Sequence, residues 1–171
     1  MFEDEESFLF KEWIYPNVLE DFRNKEVLEA GCGGGQHTSF IAPYAKTITS
    51  VDLNTVEIAE KRNKDFNNIE FIEDDIAVMN LNKQFDIVFC IGVIHHTDNP
   101  DLTVENLKKH VKPGGRLILW VYSEEGNFLV RKFVEPVRKL LLQNISRNRL
   151  MKISTAITFM MYIPIYTIYY R

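Results

Sequence analysis

The feature that most constrains this chain is a run of glycines. Residues 27–38 read VLEAGCGGGQHT, with glycine at positions 31, 33, 34 and 35. The run follows a short apolar stretch, Val27–Ala30, and precedes a segment with helical character, so it predicts a strand, a glycine loop and a helix in succession. Glycine permits a tight turn through positive φ and lets a ligand approach the backbone closely. The helix beyond the loop offers free N–H groups to an anionic group such as a carboxylate. A dinucleotide fingerprint, G-x-G-x-x-G, would need glycine at 36, where Gln36 stands. The spacing present is acidic-x-G-x-G-x-G, carried by Glu29, Gly31, Gly33 and Gly35.

The loop is the first of several similar units. Thr47–Leu53 is rich in β-branched residues and ends near Asp52; Ile69–Ile72 runs into Glu73, Asp74 and Asp75; Phe85–Ile91 is nearly all apolar; Gly115–Tyr122 follows a Lys-Pro-Gly-Gly turn. Near-continuous apolar runs of this length predict strands of a parallel sheet covered on both faces. Helices are predicted between them at Gln36–Tyr44, at Thr55–Phe66 with Asn54 as N-cap, and at Pro100–Val111 with Pro100 in the first turn. The alternation predicts a doubly wound, Rossmann-like α/β fold with a mainly parallel sheet. Five strands are readable in the 171 residues. In such sheets ligands bind beyond the carboxyl ends of the strands, where the unusual clusters fall.

The order and spacing of these clusters resemble the class I S-adenosylmethionine-dependent methyltransferases, in particular small-molecule enzymes with a type 11-like domain. The resemblance covers residues 27–122. It implies that Glu29 helps place the methionine ammonium group of the cofactor, with Gly31, Cys32, Gly33 and Gln36 forming the loop around it. It implies that Asp52 accepts hydrogen bonds from the ribose diol, a role shared with dinucleotide enzymes, and that Leu53 packs on the adenine face. Asp75 would accept a hydrogen bond from the adenine amino group and the Ile76 N–H would serve a ring nitrogen. Many relatives have glycine where Asp74 stands, which leaves open which aspartate points inward. Carbonyls near Cys90 and Ile91 would hold the ammonium group from the other side.

The segment FDIVFCIGVIHHTDNP, residues 85–100, resembles the family's fourth motif and places His95 and His96 where the methyl group would be. Histidine is suited to proton transfer near neutral pH, so His95 is the preferred general base or acceptor-orienting residue, with His96 second; structural rings packed below the site are the alternative for both. Adjacent histidines lack metal-ligand spacing and no metal is expected. Cys32 and Cys90 read as small buried residues. The aromatic segment Phe8–Phe22 contributes Trp13 and Tyr15 as candidate acceptor contacts, with core packing an equal reading.

Charge divides the chain. Through residue 125 there are 12 Lys+Arg against 23 Asp+Glu, and from 126 onward eight basic residues against one acid, Glu135. The expected organisation is therefore a cofactor-binding domain with an N-terminal helical cap over 1–125 and a basic, then apolar, helical tail over 126–171. Within the tail, Asn127–Gln143 predicts a basic helix restarted at Pro136, and Ile153–Tyr170 an uncharged helix interrupted at Pro164. The usual sixth and seventh strands are not found. The favoured expectation is a piece of a longer methyltransferase whose tail covers the acceptor site or a partner copy, which predicts a homo-oligomer. Contact with a membrane surface is the alternative.

The expected activity is transfer of a methyl group from S-adenosyl-L-methionine to a small-molecule or lipid-like acceptor, with S-adenosyl-L-homocysteine as product. A non-catalytic cofactor-binding scaffold is the rival. No nucleic-acid partner is expected, because the base-modifying Asn/Asp-Pro-Pro-aromatic motif is absent from the fourth strand. Two cysteines and the lack of a signal-like N-terminus predict a cytoplasmic protein, membrane-associated if the tail binds lipid.

Overall fold

The computed structural model describes residues 2–122, 132, 133, 136 and 145–169. Residues 1–122 and 123–171 form two compact units. In the first, helix α1 (Phe2–Trp13) and a 3-10 turn (Leu19–Phe22) precede an alternation of strands and helices. These are β1 (Glu26–Ala30), α2 (Gln36–Ile41), β2 (Thr47–Asp52), α3 (Val56–Arg62), β3 (Ile69–Glu73), β4 (Phe85–Ile91), a second 3-10 turn (Ile94–His96), α4 (Pro100–Lys109) and β5 (Val111–Trp120).

All paired strands are parallel, in the order β3-β2-β1-β4-β5. β1 is flanked by β2 on one side and β4 on the other, with Val27 opposite Ile48 and Ile87. The chain order reverses here, which opens a crevice at the carboxyl ends of the strands. This confirms the doubly wound fold expected from the apolar runs.

Alternate residues of each strand serve two cores, as the twofold strand period requires. On one face Val27, Ile48, Ile87 and Phe89 pack with Phe10 of α1, Ile14 just beyond it, Phe22 and Ile41. On the other, Leu28, Val51, Val88 and Cys90 pack with Ile76, Met79 and Leu107 of α4. Phe89 is fully buried, with edge contacts to the rings of Phe10 and Phe22 at 6.1 and 6.0 Å.

Element ends depart from expectation for local reasons. β5 begins at Val111 rather than Gly115, because the Lys-Pro-Gly-Gly segment joins the strand through a register shift opposite Phe85–Ile87. A side chain at Gly115 would come within 2.9 Å of the Asp86 carbonyl oxygen, so the residue that signals a turn here permits close strand pairing. Asn54 does not cap α3: the N-cap is Thr55, and the Asp52 carboxyl accepts the N–H groups of Asn54 (3.1 Å) and Thr55 (3.2 Å). The start of α4 is as predicted, with the Asn99 side chain accepting the Leu102 N–H and Pro100 following it.

At the amino ends of the strands, away from the crevice, Lys112 bridges Glu26 (2.7 Å) and Asp86 (3.0 Å), and the Asp86 carboxyl accepts the Glu26 N–H. This polar clamp joins β1, β4 and β5. Among the described residues no strand pairs with the outer edge of β5.

The second unit contains α5 (Arg147–Tyr169). It begins six residues before the predicted apolar helix and runs through Pro164 instead of breaking there. The basic helix predicted over 127–143 lies outside the described residues apart from 132, 133 and 136. Among the described residues no helix is long and apolar enough to cross a membrane.

Phe89 joins α1, the 3-10 turn and the central strands. Truncation to Ala is expected to lower unfolding free energy by about 3–5 kcal/mol, measured by denaturant titration.

Candidate functional site

The glycine loop turns directly off β1. The N–H groups of Gly31 and Cys32 both donate to the Val51 carbonyl at 2.7 and 3.0 Å, tying the loop to β2. Gly31 has φ +82°, and a Cβ on it would lie 2.6–2.9 Å from the side chain of Val93, in the turn after β4. Gly31 therefore lets the β4 turn close over β1. Gly33 differs: its φ is +53°, and a Cβ there would meet nothing within 4 Å. Its N–H donates to Asp52 Oδ2 at 2.9 Å, leaving open space above a bare backbone.

Beneath this loop lies Glu29, only 1% exposed. Its Oε2 accepts the hydroxyl of Thr38 and, at 3.1 Å, that of Ser50. Its Oε1 is buried with no hydrogen-bond partner, and His37 Nδ1 stands 3.9 Å away. Burial pushes the carboxyl up to about 8, against the opposing pull of the two hydroxyls. The His37 ring stacks on Phe10 at 4.9 Å and meets the edge of Trp13 at 5.7 Å, so α1 is packed against the same corner.

A cavity of about 510 Å³ opens beside the loop at the carboxyl ends of β1–β4. Gly31, Asp52, Leu53, Asp74, Asp75, Ile76 and His96 all line it. Burial raises the Asp52 carboxyl, but hydrogen bonds from Asn54, Thr55 and Gly33 outweigh it and hold the group below the usual carboxylate range. These backbone bonds fix a carboxylate on the cavity wall. Leu53 is 55% exposed, an apolar side chain standing on that wall. Asp74 accepts the Asp75 N–H (2.7 Å) and Asp75 accepts the Ala77 N–H (2.9 Å), so each aspartate holds the turn with one oxygen while both border the cavity.

The other sequence candidates are placed differently. Glu29, Cys32, Gly33, Gln36, Cys90, Ile91 and His95 are not among the lining residues. Burial pushes the Cys90 thiol up to about 12 and also raises that of Cys32, so neither is a ready nucleophile. His95 lies behind His96, with ring centroids 4.1 Å apart, and meets the edge of Tyr122 at 4.8 Å. Neither His95 ring nitrogen has a hydrogen-bond partner, and burial, with His96 next, holds the imidazole below its ordinary range. Trp13 packs on Trp120 at 4.8 Å, whereas Tyr15 is exposed. A larger hollow, about 740 Å³, lies among Lys83, Asn106, Lys109 and Lys112 and touches none of these site residues.

A family model described as a methyltransferase domain matches residues 28–119. The chain belongs to that family. The matched residues reach from within β1 to within β5. A protein of uncharacterized function from Synechococcus sp. is 33% identical over 144 residues, covering 75% of this chain and 34% of that protein. The ubiquinone biosynthesis O-methyltransferase of Rickettsia conorii is 30% identical over 108 residues, covering 61% of this chain and 37% of the enzyme. The chain thus spans little more than a third of these relatives' length. Among solved structures, the N-methyltransferase NodS of Bradyrhizobium japonicum, in complex with S-adenosyl-L-homocysteine, superposes with a TM-score of 0.60 at 24% identity, over 69% of this chain and 61% of that one.

His37, Thr38, Ser50 and Val93 were not singled out in the sequence. Ser50 left a trace, a hydroxyl inside an otherwise apolar strand; Val93 left none, because its role exists only once β4 and β1 are adjacent.

Glu29 gives a pH signature. Its folded value near 8 lies above the ordinary 4.5, so the folded state binds the extra proton between these limits. Stability of the ligand-free protein should therefore fall as pH rises from about 4.5 to 8, by at most about 1.4 kcal/mol per pH unit. Denaturant midpoints across this range should show the slope in the native chain and its loss in Glu29→Gln.

Proposed function

We propose that this methyltransferase domain binds S-adenosyl-L-methionine in the cavity at the carboxyl ends of β1–β4 and methylates a hydroxyl of a small-molecule or lipid-like acceptor. The observation that carries the reading is the buried Glu29 carboxyl, with one oxygen unpartnered beneath a loop whose Gly33 backbone is open. An ammonium group is the complement of an unpaired acidic oxygen in a low-dielectric site. Asp52, with three N–H groups already on its oxygens, has acceptor capacity left for one hydroxyl of a ribose diol. Leu53 offers an apolar surface to the adenine ring, with Asp75 and the Ile76 N–H for its polar edge. The family resemblance assigns the methionine end to Gln36, Cys32 and the carbonyls near Cys90 and Ile91, although none of these residues lines the cavity.

The bound cofactor supplies a methyl group on a sulfonium, already electrophilic. The protein's part is to hold the acceptor in line and to exclude water, which can account for most of the acceleration. A hydroxyl must also lose its proton. His95 is the candidate to take it: its imidazole is kept neutral at pH 7 and its ring nitrogens are unpartnered. His96, on the cavity wall, is the second candidate. The choice of an oxygen acceptor is supported by the relatives that are ubiquinone biosynthesis O-methyltransferases.

Calorimetry with S-adenosyl-L-homocysteine tests the cofactor reading. The native chain should bind it, Asp52→Ala should lose most of the affinity, and no binding to the native chain would sink the proposal. Screening phenols and amines with labelled methyl donor should find turnover on a hydroxyl. His95→Ala should then reduce turnover about 10²–10⁴-fold while leaving S-adenosyl-L-homocysteine affinity intact. Unchanged turnover in that variant would remove His95 as the base. Cofactor binding without turnover on any acceptor class would favour the scaffold reading.

A further inference from the structure

Helix α5 carries features that the cofactor site does not use. Residues 147–169 contain no Asp or Glu, and the basic side chains Arg149 and Lys152 are exposed in its first two turns. One face presents Ile153, Ile157 and Met160 at helical spacing, all exposed. Met151, Phe159 and Tyr162 are also exposed but lie around the far side of the helix. That side also carries the exposed hydroxyls of Ser154, Thr155 and Thr158, so the helix is aliphatic on one face and mixed on the other. A second copy packed on the Ile153–Ile157–Met160 stripe would bring together two helices that carry only basic charge, with no acid to offset Arg149 and Lys152. The boundary of a bilayer takes up one apolar face and leaves hydroxyl groups and tyrosine rings at the level of the headgroups.

Charge points to the same partner. Residues 126–171 hold eight basic groups against one acid, whereas residues 1–125 hold 23 acids against 12 basic groups. An anionic surface attracts the tail and repels the rest of the chain, which gives the contact a direction. Since no described helix is long and apolar enough to cross a membrane, the helix would lie in the interface rather than span it.

We propose that α5 docks this protein onto an anionic lipid bilayer, with Arg149 and Lys152 against the headgroups and its Ile153–Ile157–Met160 face in the upper acyl region. This deepens the lipid-like arm of the proposed function, since it would bring the methyltransferase domain to acceptors held in a membrane. The residues involved lie outside the cofactor cavity, so the two readings fail separately.

The test is co-sedimentation of the full chain with vesicles of phosphatidylcholine mixed with phosphatidylglycerol, against vesicles of phosphatidylcholine alone. Binding to the mixed vesicles, weakened by added salt, supports the proposal. Arg149→Glu and Lys152→Glu should each reduce affinity at least roughly fivefold, and Ile157→Asp with Met160→Asp should abolish it. S-adenosyl-L-homocysteine affinity, unchanged in every variant, serves as the control for folding. No binding to the mixed vesicles overturns the proposal. So does a stable dimer by light scattering without lipid that Ile157→Asp converts to monomer, since that would show the face to be an interface between copies.

Discussion

The carboxyl of Glu29, sealed at the end of the central strand, is the point on which the site depends. A buried carboxyl group is costly unless its oxygens are engaged, and here only one is, by hydroxyls from α2 and β2. That arrangement fixes the start of α2 and the end of β2 relative to β1. Those positions in turn set the glycine loop, and through the Gly33–Asp52 bond they set the acidic wall of the cavity. The remaining oxygen is left without a partner in a place where water is scarce. A polar atom kept in that condition favours a cationic ligand over an anionic one, which separates this glycine loop from those that hold phosphates.

Much of this was legible from residues alone because it rests on local chemistry. Apolar runs of five to seven residues with glycine or aspartate at their ends fold as parallel strands almost wherever they occur. β4 is found at its predicted bounds, Phe85–Ile91. The strand ends put Gly31, Asp52, Asp74 and Asp75 on one rim for the same reason. What the sequence reading missed depends on contacts between distant segments. Lys-Pro-Gly-Gly signals a turn, yet it joins β5 because Phe85 and Asp86 lie alongside. Asn54 has the residue type of a cap, yet α3 starts one residue later, at the Thr55 cap, because the Asp52 carboxyl holds the N–H groups of both Asn54 and Thr55. His37 carries no motif and becomes noteworthy only when Phe10 of α1 stacks on it above Glu29.

The two ends of the sheet divide stability from chemistry. At the amino ends Lys112 offsets part of the charge of Glu26 and Asp86 and ties three strands together. At the carboxyl ends, Glu29, Asp52, Asp74 and Asp75 gather with no Lys or Arg among the cavity-lining residues. The acidity of the first 125 residues is thus partly a property of one rim. The opposite charge of the tail belongs to a separate compact unit, and the separation lets each sign serve a different encounter.

The seating of Val93 on Gly31 couples the turn after β4 to the glycine loop. The turn that carries His95 and His96 rests on the first residue of the glycine loop, so its backbone cannot be redrawn without lifting the loop. The 93–96 turn and the glycine loop therefore act as one mechanical piece: a change that lifts either displaces the other.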